Sequence, residues 1–281
     1  MTNNNEVLNF ENNLINSSLI LSSPHSGSFY PEEFKSLLNI ELSELYQNED
    51  SLVDNLINGS LKFNNLILKA IWSRSVIDVN RAKNDFNYND FDPPIDSIAS
   101  KPTKYSRSGI GVIPLRSGYN DKIYKKKLSG DQAKDWLNSA WNSYHSTLAN
   151  ILERTHSQFG YYVLFDFHSM PSENASIRNN VDIILGDCHG KSSEQKIVQF
   201  IENELLNSGL KVRRNSPYSG GFITENYGRP KENKHAIQIE INRSIYLNEK
   251  TREKNSNFEN CKLILSKMIN NFEKNKKNCL N

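Results

Sequence analysis

Tyr162-Val163-Leu164-Phe165-Asp166-Phe167-His168-Ser169-Met170-Pro171 is the stretch that decides how this 281-residue chain is read. Strand-favouring apolar residues run into an acid, an imidazole and a hydroxyl, and a proline closes the run. Such a segment reads as a buried strand that delivers polar side chains at its carboxyl end. In open α/β sheets that end is where ligands bind. Side chains alternate along a strand, so Asp166 and His168 face the same way, an acceptor beside an imidazole. Taken alone, the pair fits a hydrogen-bonded core histidine as well as a working one.

Neighbouring stretches repeat the pattern. Leu19-Ile20-Leu21-Ser22 runs into Ser23-Pro24-His25-Ser26-Gly27, which places a second histidine at a strand end. From His235 to Arg243 the alternation is nearly unbroken: Ile237, Ile239 and Ile241 face one way, and Gln238, Glu240 and Asn242 the other. A glutamate inside such a strand is costly to bury unless it is paired or used. Leu66 to Trp72, Val181 to Gly186 and Leu210 to Arg213 also read as strands. So does Ser75 to Arg81, where Arg74, Asp78 and Asn80 mark a polar face.

Between these lie apolar residues at helical spacing. Helices are expected over Glu32 to Leu45, Asn48 to Ile57, Tyr119 to Lys127, Gly130 to Gln158, Ser192 to Ser208 and Phe258 to Phe272. In the second, Asp50 and Asp54 share one side, explained either by the helix dipole or by a cation between them. Asp85 to Lys104, broken by Pro93, Pro94 and Pro102, reads as a long polar cover. Pro217 to Thr224 is a loop in which Gly220 and Gly221 let backbone approach a ligand closely. Alternating strands and helices predict an α/β fold in a single domain over residues 18–281. Residues 1–17 form a polar lead-in, from which Val7, Leu8 and Phe10 could add an edge strand.

The 34 basic and 32 acidic residues are scattered and leave a net charge of +2, which argues against nucleic acid and membrane surfaces as partners and leaves a small molecule. Lys125-Lys126-Lys127 and the tail from Lys274 to Lys277 read as solvated helix ends. Cys188, Cys261 and Cys279 form no Cys-x-x-Cys pair, so neither a disulfide framework nor a thiolate zinc site is expected. With no apolar stretch long enough for a leader or a membrane span, the protein reads as cytoplasmic. The sequence leaves the oligomeric state open.

Two imidazoles and a carboxylate, with a fourth position open to water, make a catalytic zinc site. A zinc ion lowers the pKa of its water to about 7, and a strand carboxylate such as Glu240 takes the proton and passes it to a leaving nitrogen. Arginines suit an oxyanion or a substrate carboxylate. His145, His156 and His189 read as packing, surface and loop residues. The alternative is a non-catalytic metal-containing protein that binds a small carboxylate, but such a site gains nothing from the buried charge of Glu240.

Several blocks taken together resemble the N-formylglutamate amidohydrolase family. They are Ser23-Pro24-His25-Ser26-Gly27, Arg74 with Asp78-Val79-Asn80-Arg81, Asp166 to Met170, Gly186-Asp187-Cys188-His189-Gly190, and Gln238 to Arg243, in the family's order from about Leu19 to Tyr246. More distantly, the ingredients are similar to those of zinc carboxypeptidases and aspartoacylases. The resemblance implies a phosphorylase/hydrolase-like fold, with a central mixed β-sheet flanked by helices. It also implies hydrolysis of the N-formyl or small N-acyl amide of an acidic amino acid, above all N-formyl-L-glutamate. One zinc ion per chain would be held by His25, Asp50 and His168, with Asp54 and Glu49 as alternatives to Asp50. Glu240 would be catalytic, Arg74 would stabilise the oxyanion, and Asn80 and Arg81 would hold the substrate carboxylate. Gly220, Gly221 and Arg243 complete the substrate-binding set, and Asp166 and Asp78 stand behind the ligands. Ser28 occupies the place where carboxypeptidases put the glutamate of their His-x-x-Glu pair, a departure from that pattern.

Overall fold

Tyr162–Met170 is buried along its whole length and forms a central strand, β4, of a seven-stranded sheet. The computed structural model describes residues 5–8, 14–58, 65–96, 98–173 and 181–280. Phe10 and much of the polar lead-in lie outside them. The other strands are β1 (Asn5–Leu8), β2 (Leu19–Ser23), β3 (Leu66–Ala70), β5 (Ile183–Gly186), β6 (Val212–Arg214) and β7 (Lys234–Asn242), in the order β1-β3-β2-β4-β7-β5-β6. β2, β4 and β7 run parallel, β5 runs antiparallel to β7, and β6 is parallel to β5. The sheet is therefore mixed and flanked by helices, as expected. Its central strands read as apolar runs because parallel strands are covered on both faces.

Register sets out the polar residues. Ser22, Asp166, Gln238 and Gly186 form one row across β2, β4, β7 and β5. His168 stands opposite Glu240 in the next polar row. Cross-strand partners on parallel strands share a face, so the two periodicities bring these side chains together.

Backbone contacts group the chain into two compact units. The unit of Val7–Ser23, Ser51–Leu68 and Asn150–Asn281 holds an extensive apolar core. Leu19, Phe165, Ile237 and Ile239 of the sheet pack there with Ile197, Ile201 and Leu205 of helix Gln195–Asn207 and with Leu265, Ile269 and Phe272 of helix Phe258–Asn275. Spacings of three and four residues give each helix one apolar stripe for the sheet. Phe272 is fully buried, 5.0 Å from Phe165 between ring centroids, a site where truncation to Ala costs about 3–5 kcal/mol. In the unit of Met1–Glu6, Pro24–Asp50 and Lys69–Ala149, Phe34 anchors an aromatic cluster with Tyr30, Tyr124 and Trp136. The expected long helix runs from Gly130 to Phe159, with a π-helical turn over Leu137–Asn142.

Four expected elements differ. The helix expected over Glu32 to Leu45 ends at Leu37, where Leu38 turns extended, and a separate 3-10 helix covers Leu42–Asn48. Ser75 to Arg81 is a series of turns and not a strand: Val76 and Ile77 both donate their N–H to Ser73 O, and Asn80 donates to Asp78 Oδ1 at 2.8 Å. Local acceptors outcompete the β preference of Val and Ile there. Tyr119 to Lys127 is not a helix. Ser117 Oγ accepts from Tyr119 N and Asp121 N, Asn120 is left-handed at φ 70°, and Lys125 N reaches Leu37 O. The helix expected from Asn48 shrinks to Val53–Ile57, because left-handed Leu52 (φ 63°) interrupts it. Asp50 and Asp54 consequently do not share a helix face; Asp50 is buried and Asp54 half-buried.

Candidate active site

His25 follows β2 in a buried turn. Its Nε2 lies 2.8 Å from Asp78 Oδ1, and its Nδ1 lies 3.4 Å from Asp50 Oδ2. The turn is tied to Asp50 by the backbone, Asp50 N donating to His25 O at 2.9 Å, and by Ser26 Oγ donating to Asp50 O at 3.2 Å. Asp78 Oδ2 accepts from Arg74 Nη2 at 2.7 Å. Burial by itself would raise the pKa of Asp78, but Arg74, His25 and Arg81 outweigh it and hold the carboxyl well below the usual range. An anion at Nε2 favours the imidazole proton there, with Nδ1 turned to Asp50.

His168 repeats the device on β4. Its Nε2 is 2.9 Å from Asp166 Oδ2, while Asp166 Oδ1 accepts from Ser22 Oγ, its register partner on β2. The carboxylate is satisfied from both sides, which fixes the ring. Glu240, opposite on β7, is 7% exposed, and its Oε1 accepts from Gln238 Nε2 at 2.7 Å.

His25, Asp50 and His168 are each buried, and each offers one ligand atom of the kind a metal ion takes. Two imidazole nitrogens and one carboxylate are the donor set of a catalytic zinc centre, so the residues present fit that ion. Of the alternative carboxylates, Glu49 accepts from Tyr30 Oη at 2.5 Å, and Asp54 lies on helix Val53–Ile57.

The remaining sequence-derived residues have defined surroundings. Arg81 lays its guanidinium over the Tyr105 ring, 3.8 Å from Cζ to the centroid, with Nε 3.4 Å from Ile110 O. Asn80 is buried in the same turn. Arg243 Nε donates to Ser169 Oγ at 3.0 Å. Gly220 (φ 137°) has a local reason to be glycine, since a Cβ there would come within 2.6 Å of Cys188 Sγ. Gly221 N donates to Thr224 Oγ1 at 2.8 Å ahead of helix Phe222–Tyr227. His189 is exposed, and its backbone N–H, with that of Asp187, is held by Asn215 Oδ1.

Tyr105, Trp141 and His145 were not legible as site residues. Trp141 Nε1 donates to Arg81 O at 2.9 Å, and His145 Nε2 lies 2.7 Å from Val79 O, so both hold the turn that carries Asp78, Asn80 and Arg81. Trp141 sits in the π-helical turn and His145 just after it, a feature common near functional sites but invisible in residue periodicity.

The mixed α/β sheet and the buried imidazole–carboxylate pairs define the fold and its candidate chemistry, and the relatives give the class. The family model for N-formylglutamate amidohydrolase matches residues 17–247, so the chain belongs to the N-formylglutamate amidohydrolase family. It is an enzyme that hydrolyses amide bonds. The N-formylglutamate deformylase of Pseudomonas putida is 28% identical over 236 residues, 82% of each chain. That of Pseudomonas aeruginosa PAO1 is 27% identical over 249 residues, covering 87% of this chain and 86% of its own. The crystal structure of N-formylglutamate amidohydrolase from Ralstonia eutropha JMP134 superposes with a TM-score of 0.89 at 29% identity, covering 97% of this chain and 98% of that one.

Proposed function

We propose that this enzyme removes the formyl group of N-formyl-L-glutamate, yielding formate and L-glutamate, with one zinc ion held by His25, Asp50 and His168. The observation that carries this reading is the matched orientation of the two histidines. Each turns Nε2 to a buried aspartate, the arrangement that orients a metal-binding imidazole, and Asp50 supplies the carboxylate. Zinc, when bound, supplies Lewis acidity and a water of lowered pKa.

The protein's own groups do the rest. Glu240 takes a proton from the attacking water and delivers it to the departing amine; the Gln238 amide holds one of its oxygens in place. Arg74, fixed by Asp78, stabilises the negative oxygen that develops on the formyl carbon. Asn80 and Arg81 hold a substrate carboxylate, and stacking on Tyr105 presets the guanidinium plane for a two-pronged grip. Arg243 and the Gly220-Gly221 loop complete the pocket for a small dianion. We take residues 18–281 as one catalytic domain, of which the family match covers the part up to residue 247. Cys188, Cys261 and Cys279 are free thiols, which suits the reducing cytoplasm, and among the described residues no helix is long and apolar enough to cross a membrane.

Metal analysis of the purified protein, joined to a formate-release screen of N-formyl and N-acetyl amino acids, tests the reading. One zinc per chain and turnover of N-formyl-L-glutamate above the other substrates are expected. Protein without stoichiometric metal that releases no formate would overturn it.

A further inference from the structure

Lys125-Lys126-Lys127 has the composition of a solvated helix end, yet the segment that carries it is not helical. The run lines a cavity of about 440 Å³ built wholly from residues between Asn87 and Leu128. Arg107, Arg116, Lys122, Lys125, Lys126 and Lys127 all contribute to its wall, and Asp90 is the one carboxylate there. Asp90 is engaged locally, accepting from Asn87 N at 3.3 Å and Asn87 Nδ2 at 3.2 Å. Two of the cations are aimed by neutral carbonyls, which fix direction without cancelling charge. Arg116 Nη1 donates to Asn120 O and Lys127 Nζ to Asn89 O, each at 2.7 Å. Gathering six like charges around one concavity raises the energy of the empty protein unless an anion answers them.

A second observation points to a ligand. Tyr124 lines the same cavity, is 8% exposed, and its hydroxyl is a buried polar atom with no hydrogen-bond partner among the described residues. Its ring is held edge-on by Phe34 at 5.8 Å, so the hydroxyl is not free to swing to solvent. A buried hydroxyl without a partner costs about 1–3 kcal/mol, which a bound acceptor would recover. Burial pushes the phenol pKa up, so the group stays protonated and able to donate.

We propose that this cavity binds a small polyanion carrying two or more phosphate or carboxylate groups, with Tyr124 donating to one oxygen and the surrounding lysines and arginines neutralising the rest. Its volume is that of a small-molecule site, and it shares no residue with the proposed catalytic set. The site is separate from the formyl-amide chemistry and does not depend on that assignment.

Calorimetric titration of the metal-loaded, full-length enzyme with inorganic pyrophosphate and with tricarballylate tests this and distinguishes the two sources of charge. One ligand per chain is expected, with affinity that falls as salt rises. The double variant Lys126→Glu/Lys127→Glu, exposed and therefore tolerant of change, should weaken binding by about tenfold or more. Its formate-release kcat/KM should be unchanged. Lys274→Glu/Lys277→Glu, the same reversal in the basic tail, should leave binding as it was. Tyr124→Phe should lose about fivefold through the missing hydroxyl. Affinity that survives Lys126→Glu/Lys127→Glu, equal weakening by the tail variant, or no saturable binding of either probe would overturn the proposal.

Discussion

Glu240 stands directly opposite His168 in the parallel register of β4 and β7. The residue proposed to move the proton and a residue proposed to hold the metal are therefore fixed by the same ladder of backbone hydrogen bonds. Rigid neighbouring strands keep such a pair in place better than loops do.

Replacing Glu240 with Gln preserves size and the contact with Gln238 but removes the basic oxygen. The variant should keep stoichiometric zinc and lose about a hundredfold or more in kcat. Metal content and formate release measured on one sample decide this, and turnover at the wild-type rate would remove Glu240 from the proton-transfer role.

Asp166 acts through His168 and not on the substrate. Asp166→Ala should leave the fold intact while weakening zinc about tenfold or more, read by competition with a chromogenic chelator. Unchanged zinc affinity would return Asp166 to a purely structural part in the row with Ser22.

Arg81 and Tyr105 form one unit, so the substitutions Arg81→Lys and Tyr105→Ala should raise KM by about tenfold with little change in kcat. Steady-state kinetics with N-formyl-L-glutamate provides the check. A loss confined to kcat would show that the guanidinium serves the transition state instead of ground-state binding.

Acid stability carries a signature of His235. It is buried at the start of β7 with Nδ1 accepting from Glu194 N, and burial pushes its pKa down to about 4 from 6.5. Its neutral form is favoured in the fold, so its stabilisation is complete above pH 6.5 and is lost as pH falls towards 4, where the unfolded chain gains the proton first. Between pH 7.5 and 5 this one group should cost about 2 kcal/mol. Urea titrations at the two pH values should show that loss in the wild type and a smaller one in His235→Gln; equal losses would assign the acid sensitivity elsewhere.

Much of the site was legible because strand periodicity is a local rule. A period of two in Tyr162 to Met170 and in His235 to Asn242 put Asp166 with His168 and Gln238 with Glu240, and the register confirmed those faces. The same rule misread Ser75 to Arg81, where Ser73 O and the Asp78 carboxylate bond nearby N–H groups and curl the backbone into turns. Helical spacing misread Tyr119 to Lys127 for a similar reason, as Ser117 and left-handed Asn120 redirected it.

By itself the sequence determined the central strands, the long packed helices and the residue types able to do amide hydrolysis, since each follows from side-chain spacing over a few residues. Tertiary structure alone decided which nitrogen of each histidine is anchored, by Asp78 and by Asp166. It also decided that Arg81 rests on Tyr105, and that three lysines expected in solvent line a cavity beside a buried phenol. The reason is physical: the strength of a hydrogen bond or a charge depends on burial and on partners far away in the chain, and neither quantity exists until the backbone has closed around them.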